Sequence, residues 1–153
     1  WAKNTTKPKA VIVYETMWQS TQIMARQIAE GLMAGGVQDV KIFDIAESDV
    51  TGVITELIDA KAIVVGSSTQ DNDMLPNIAR FMEFLKGLKP KGRIGAAFGS
   101  FGWAGGAVKE IEAVLKETGI EVAMEGVSLQ YVPDAAGRAL CFEAGKNFEG
   151  KME

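Results

Sequence analysis

Ala10-Val11-Ile12-Val13-Tyr14-Glu15-Thr16-Met17-Trp18-Gln19-Ser20-Thr21 is the stretch that decides the fold. Its first five residues form an apolar run with no polar alternation, the pattern of a strand covered on both faces. A short loop follows. From Ser20 to Ala34 the apolar residues Met24, Ile28 and Leu32 then fall at helical spacing. This strand, loop and helix pattern recurs along the chain. Val40 to Ile45, Ala62 to Val65, Ile94 to Phe98 and Val127 to Val132 read as further strands. Asp49 to Ile58 places Val53, Ile54, Leu57 and Ile58 on one side of a helix, and Asn77 to Lys86 does the same with Ile78, Phe81, Met82 and Leu85. Ala107 to Glu117 buries Val108, Ile111 and Leu115 and stops at Gly119, while Asp134 caps a last helix carrying Leu140, Ala144 and Phe148.

Strict alternation of five strands with helices means crossovers, and crossovers mean parallel pairing. The expected fold is an α/β doubly wound five-stranded parallel sheet, order 2-1-3-4-5, with helices on both faces. In that order the chain reverses direction across the sheet between the first and third strands, and ligands collect there, outside the carboxyl ends of the strands. The polar residues 1–8 read as a linker or truncated connection and residues 9–153 as one domain.

Composition removes several functions. The chain has 153 residues and 47% hydrophobic content, which suits a single globular core. A net charge of −4 without a Lys/Arg cluster argues against nucleic acid. No stretch reads as a leader or membrane span, and a single cysteine, Cys141, excludes an internal disulfide. A cytoplasmic location is expected. Histidine is absent, so Ser-His-Asp and Cys-His nucleophiles and histidine-ligated zinc or iron are all excluded. Chemistry has to come from a cofactor.

Three loops, each just after a strand, carry the residues for one. In the first, Thr16, Ser20 and Thr21 put three hydroxyls between strand and helix, with Met17, Trp18 and Gln19 among them and no basic residue. A phosphate bound without lysine needs such hydroxyls, backbone amides and a helix N-terminus. Neither a Walker loop nor Gly-x-Gly-x-x-Gly is present, which argues against a nucleoside triphosphate. Taken alone, Ser20 reads equally well as an N-cap and Thr16 as a turn residue. The second loop, Ser67 to Asn72, offers Ser68, Thr69, Gln70 and Asn72 to the polar edge of a ring. The third runs Gly99, Ser100, Phe101, Gly102, Trp103, Ala104, Gly105, Gly106; its glycines let backbone approach a flat ligand, and Trp103 offers a face to stack on. Phe101 either shares that role or packs inward. Together the loops describe a site for flavin mononucleotide, FMN.

The stretches Tyr14 to Thr21, Gly66-Ser67-Ser68-Thr69-Gln70-Asp71-Asn72-Asp73-Met74-Leu75-Pro76 and Ala97 to Val108 resemble the flavodoxin-like domain of the A-type flavoproteins, or flavodiiron proteins. The likeness covers the domain end to end. It implies that Thr16 to Thr21 hold the FMN phosphate, Ser68 to Asn72 one side of the flavin and Ser100 to Gly106 the other. The family often has proline where Ser68 stands and tyrosine where Phe101 stands. Its other half is a metallo-β-lactamase-like domain with two irons that reduces dioxygen or nitric oxide, and this histidine-free chain cannot supply it. The implied role is electron transfer from a rubredoxin-like or reductase donor to a di-iron domain of the same or another chain, in a homo-oligomer of the parent protein. Three rivals stand beside it: a stand-alone short-chain flavodoxin, an NAD(P)H-dependent quinone or flavin reductase, and a flavin-free adaptor or receiver module.

Overall fold

The computed structural model describes residues 6–17, 19–70, 73–90, 92–102 and 105–152, and its first strand, β1 (Lys7–Glu15), shows why the sheet is covered on both sides. Successive strand residues face opposite ways. Ala10, Ile12 and Tyr14 enter one hydrophobic core, and Val11 and Val13 enter another. The remaining elements are α1 (Ser20–Ala34), β2 (Asp39–Asp44), α2 (Val50–Leu57), β3 (Ala60–Ser67), the short strands β4 (Thr69–Gln70) and β5 (Asp73–Met74), α3 (Pro76–Leu88), β6 (Ile94–Phe101), α4 (Ala107–Glu117), β7 (Glu121–Val122), β8 (Val127–Gln130) and α5 (Ala135–Glu149). The first core holds Met24, Ile28 and Leu32 of α1 with Cys141 and Phe148 of α5; the second holds residues of α2, α3 and α4, among them Val53, Phe81 and Ile111.

Strands pair in parallel in the order β2-β1-β3-β6, followed by β7 and β8. This is the expected 2-1-3-4-5 order, with β6 in fourth place and the fifth place shared. β7 pairs with Ile94 and Gly95, while β8 pairs with Phe98 to Phe101. Between them the chain leaves the ladder to reach α4, where the Gly126 amide donates to Glu112 Oε2 at 3.1 Å. The fifth strand was expected to reach Val132. It ends at Gln130, because Tyr131 takes a left-handed backbone with φ 62°.

Lys7 of the stretch read as a linker already belongs to β1; its amide donates to Asp59 O at 2.7 Å. Helix α5 also differs from its sequence reading. Leu140 is 52% exposed, and the inward face is Gly137, Cys141, Gly145 and Phe148. Glycines set this rotation. A Cβ on Gly145 would stand 2.2 Å from Ile28 O, and one on Gly31 2.0 Å from Phe142 O, so α1 and α5 pack backbone to backbone. At the amino ends of the strands, Lys9 is almost fully buried and donates to Glu56 Oε1 and Asp59 Oδ1, both at 2.9 Å, and Lys7 pairs with Asp59 Oδ2 at 3.1 Å. Arg93 donates to Ile58 O beside them. Among the described residues, no helix is long and apolar enough to cross a membrane.

Candidate functional site

At the carboxyl ends of β1, β3 and β6, four buried hydroxyls meet. Ser20 Oγ lies 2.6 Å from Ser100 Oγ, Thr21 Oγ1 lies 2.8 Å from Ser68 Oγ and 3.1 Å from Ser100 Oγ, and Ser68 Oγ lies 3.3 Å from Ser100 Oγ. All four residues are buried. One member comes from each of the second and third loops and two from the first turn of α1, so the cluster fastens together the three segments named from sequence. Hydroxyls suit the place because each donates and accepts, and no charge has to be desolvated.

The first loop folds back on its own helix. Thr16 Oγ1 accepts the Thr21 amide at 3.1 Å and donates to Met17 O at 3.3 Å. The Met17 amide in turn donates to Ser68 Oγ at 3.1 Å. Gln19, not Ser20, is the N-cap of α1; its φ of 67° is left-handed and its side chain makes no capping bond. Thr16 serves a first-turn amide in place of a local cap. Trp18 lies outside the described residues.

In the second loop, the Thr69 hydroxyl accepts the amides of Gly106 and Ala107 at 3.4 and 3.3 Å, at the start of α4. The second and third loops are therefore joined by a helix cap. Gln70 pairs through its backbone with Asp73; its side chain and Asn72 lie outside the described residues. Farther on, Ser67 Oγ accepts the Leu75 amide at 2.8 Å, and Glu110 Oε1 accepts the Met74 amide at 3.0 Å.

In the third loop, Phe101 O accepts the Tyr131 amide at 2.7 Å and Gly102 O accepts from Gln130 Nε2 at 2.9 Å. A Cβ on Gly105 would come within 3.3 Å of the Phe101 ring, so that glycine lets the ring lie against the loop. Gly106 is the N-cap of α4. Trp103 and Ala104 lie outside the described residues.

The sequence does not single out Glu15 as a structural tie, nor Gln130 and Tyr131 as neighbours of the third loop. The Glu15 carboxylate accepts from Asn77 N at 3.0 Å, Asn77 Nδ2 at 2.6 Å and Ile78 N at 3.3 Å, which caps α3. The signal for it was present: Pro76 opens α3, yet its N-cap is Leu75, which has no capping group. Just below Glu15, burial and then Asp44 push the Tyr14 phenol up, partly opposed by Arg26 and Gln22, so it stays protonated.

A doubly wound sheet whose loops bring hydroxyls and glycines together at the switch point defines a class of mononucleotide-binding domains. The chain belongs to the flavodoxin family, whose model matches residues 12–145. It is 44% identical to a nitric oxide reductase of Moorella thermoacetica, over 99% of this chain and 38% of that protein. It is 37% identical to an anaerobic nitric oxide reductase flavorubredoxin of Aliivibrio fischeri, over 95% of this chain and 29% of that protein. Among solved structures it is similar to rubredoxin oxygen:oxidoreductase of Desulfovibrio gigas, with a TM-score of 0.94, 33% identity and coverage of 98% of this chain and 37% of that one. An archaeal flavodoxin superposes with a TM-score of 0.84 and 32% identity, covering 94% of this chain and 98% of its own. The chain thus spans under two fifths of the reductases it matches and corresponds to their flavodoxin-like part.

Family membership carries FMN as the cofactor. The donor set fits that group. The first loop leads into the N-terminus of α1 with hydroxyls beside it and no cation among its residues, the chemistry that suits a phosphate ester in the absence of lysine. The third loop presents glycine backbone and an aromatic ring beside it, as a flat heterocycle requires.

Proposed function

We propose that the chain is the FMN-binding electron-transfer domain of a flavodiiron-type reductase. Electrons enter from a rubredoxin-like or reductase donor and leave singly for a di-iron oxygen or nitric oxide reductase domain, on the same chain or another, within a homo-oligomer of the parent protein. When bound, FMN supplies the one- and two-electron redox chemistry. The chain's residues bind and orient it. Thr16, Met17, Trp18, Gln19, Ser20 and Thr21 hold the phosphate; Ser68, Thr69, Gln70 and Asn72 flank one side of the ring system; and Ser100, Phe101, Gly102, Trp103, Ala104, Gly105 and Gly106 flank the other.

The observation that supports this reading is the buried hydroxyl cluster, which ties Ser20 and Thr21 to Ser68 of the second loop and Ser100 of the third. The likeness to reductases named for nitric oxide and for oxygen supports the choice of acceptor. The test is to supply the purified chain with FMN and FAD and to identify the flavin it retains after acid release. One FMN per chain is expected. Retention of FAD, or of no flavin, overturns the reading.

A second reading, a stand-alone flavodoxin, is favoured by the archaeal flavodoxin that matches almost end to end. Iron analysis of the parent polypeptide separates the two. Iron at about two per chain supports the reductase reading, and its absence supports the flavodoxin.

A further inference from the structure

Tyr131 combines three properties that rarely occur together. Its backbone is left-handed, with φ 62°, a region that costs a bulky side chain of order 1–3 kcal/mol and persists only where the surroundings enforce it. The residue is 65% exposed, so packing in its own domain does not account for that conformation. The ring also borders the third loop: a Cβ on Gly102 would stand 3.9 Å from Tyr131 Cε1.

The surroundings do enforce it. Gln130 stands opposite Phe101 in the β6–β8 ladder, which brings Tyr131 level with Gly102 at the carboxyl edge of the sheet. The Tyr131 amide and Gln130 Nε2 hold the carbonyls of Phe101 and Gly102, respectively. On the far side, Pro133 O accepts from Arg138 Nη1 at 3.0 Å and Asp134 Oδ1 accepts the Gly137 amide at 2.8 Å, so the strand end is anchored to α5. A held aromatic with an open face beside a glycine-rich loop suits a flat ligand.

We propose that Gln130 and Tyr131 form a fourth segment of the flavin site, in which Tyr131 is a positioning residue that braces Phe101 and Gly102 on the ring side of the cofactor. This rests on the FMN reading above. Bracing acts on the ring and not on the phosphate, so FMN and riboflavin gain from it equally.

The test uses the full chain with Tyr131→Gly and Tyr131→Phe, titrated with FMN and with riboflavin, and the thermal midpoints of the flavin-free proteins. In Tyr131→Gly both dissociation constants rise by about tenfold, their ratio stays constant, and the flavin-free midpoint does not fall, because glycine relieves the backbone strain. Tyr131→Phe keeps the ring and restores wild-type affinity. Wild-type affinity in Tyr131→Gly overturns the proposal, as does a loss of affinity accompanied by a lower midpoint, or a loss confined to FMN. A wild-type chain that takes up no flavin overturns the FMN reading and this proposal with it; flavin uptake with an indifferent Tyr131→Gly overturns this proposal alone.

Discussion

Glu15 and Asn77 lie 62 residues apart, and the Asn77 backbone and side-chain amides both donate to the Glu15 carboxylate, at 3.0 and 2.6 Å. The end of the first strand thereby caps the third helix from across the switch point. A carboxylate there also meets the positive end of the helix. Glu15→Ala is expected to cost about 1–2 kcal/mol of folding stability, the range of a lost N-cap, and Glu15→Gln less. Urea unfolding of the two variants checks this; equal stability of wild type and Glu15→Ala would show the cap to be idle.

On the proposed reading, Thr16 serves the phosphate of FMN and not its ring. Its hydroxyl serves the Thr21 amide at the start of α1. Thr16→Ala is expected to weaken FMN by about tenfold, the loss of one charge-assisted bond, and to leave riboflavin within about twofold. Parallel fluorescence titrations read both. Ser20 is the poorer choice for this purpose, because its hydroxyl belongs to the buried cluster and its removal would also loosen the fold.

The α1–α5 contact gives a paired prediction on glycine. Gly145→Ala drives a methyl to 2.2 Å from Ile28 O and is expected to cost about 3 kcal/mol, the upper end for overpacking. Gly52, exposed in α2 with nothing within 4 Å of its Cβ position, is the control. Gly52→Ala is expected to gain about 0.5–1 kcal/mol through helix propensity. Chemical denaturation of both tells close packing from a general aversion to alanine.

Acid stability depends on Asp59. The Lys9 ammonium bonded to it, with Lys7 beyond, holds its carboxyl below the ordinary value of 3.8 despite partial burial. A depressed carboxyl contributes stability that is present above its unfolded value and lost as pH falls through the folded one. Wild type should therefore lose stability from about pH 4 downward, and Asp59→Asn should flatten that limb. At neutral pH Asp59→Asn is expected to cost roughly 1–3 kcal/mol, since Lys9 stays buried with Glu56 as its remaining carboxylate partner. Lys9 works in the opposite window. Burial lowers its ammonium pKa, the bonds to Asp59 and Glu56 more than offset that, and its contribution is lost only as pH rises past 10.5.

Cys141 should be silent toward thiol reagents. Burial against α1 pushes its thiol up to about 11. At pH 8 the native chain is expected to show no fast labelling, with one thiol appearing on unfolding. Rapid labelling of the native protein would contradict the packing of α5.

Legibility in the sequence followed the range of the interactions involved. Helices α1 and α4 run Ser20–Ala34 and Ala107–Glu117 in both the reading and the structure, because apolar spacing and terminal residues are local signals. The buried strands were readable from their unbroken apolar runs. The face of α5 was not, because Leu140 reads as core by hydrophobicity while contact with α1 is made by Gly31 and Gly145, which carry no apolar side chain. The position of the three loops at the carboxyl ends of their strands was legible from the alternation of strands and helices. Their ties were not: Glu15 to Asn77, Thr69 to Ala107 and Ser20 to Ser100 each join residues far apart in sequence. The split fifth strand depends on Gly126 reaching Glu112, another contact without a local mark.

The four-hydroxyl cluster has a consequence for protons. Ser20, Thr21, Ser68 and Ser100 own four hydroxyl hydrogens, while their four mutual contacts and the Ser20 bond to Met17 O at 3.3 Å call for five. Five contacts share four hydrogens, so more than one arrangement of the O–H bonds satisfies the same heavy-atom positions. None of the four titrates near neutrality. The seam between the strand ends therefore carries no charge that changes between mild acid and mild alkali.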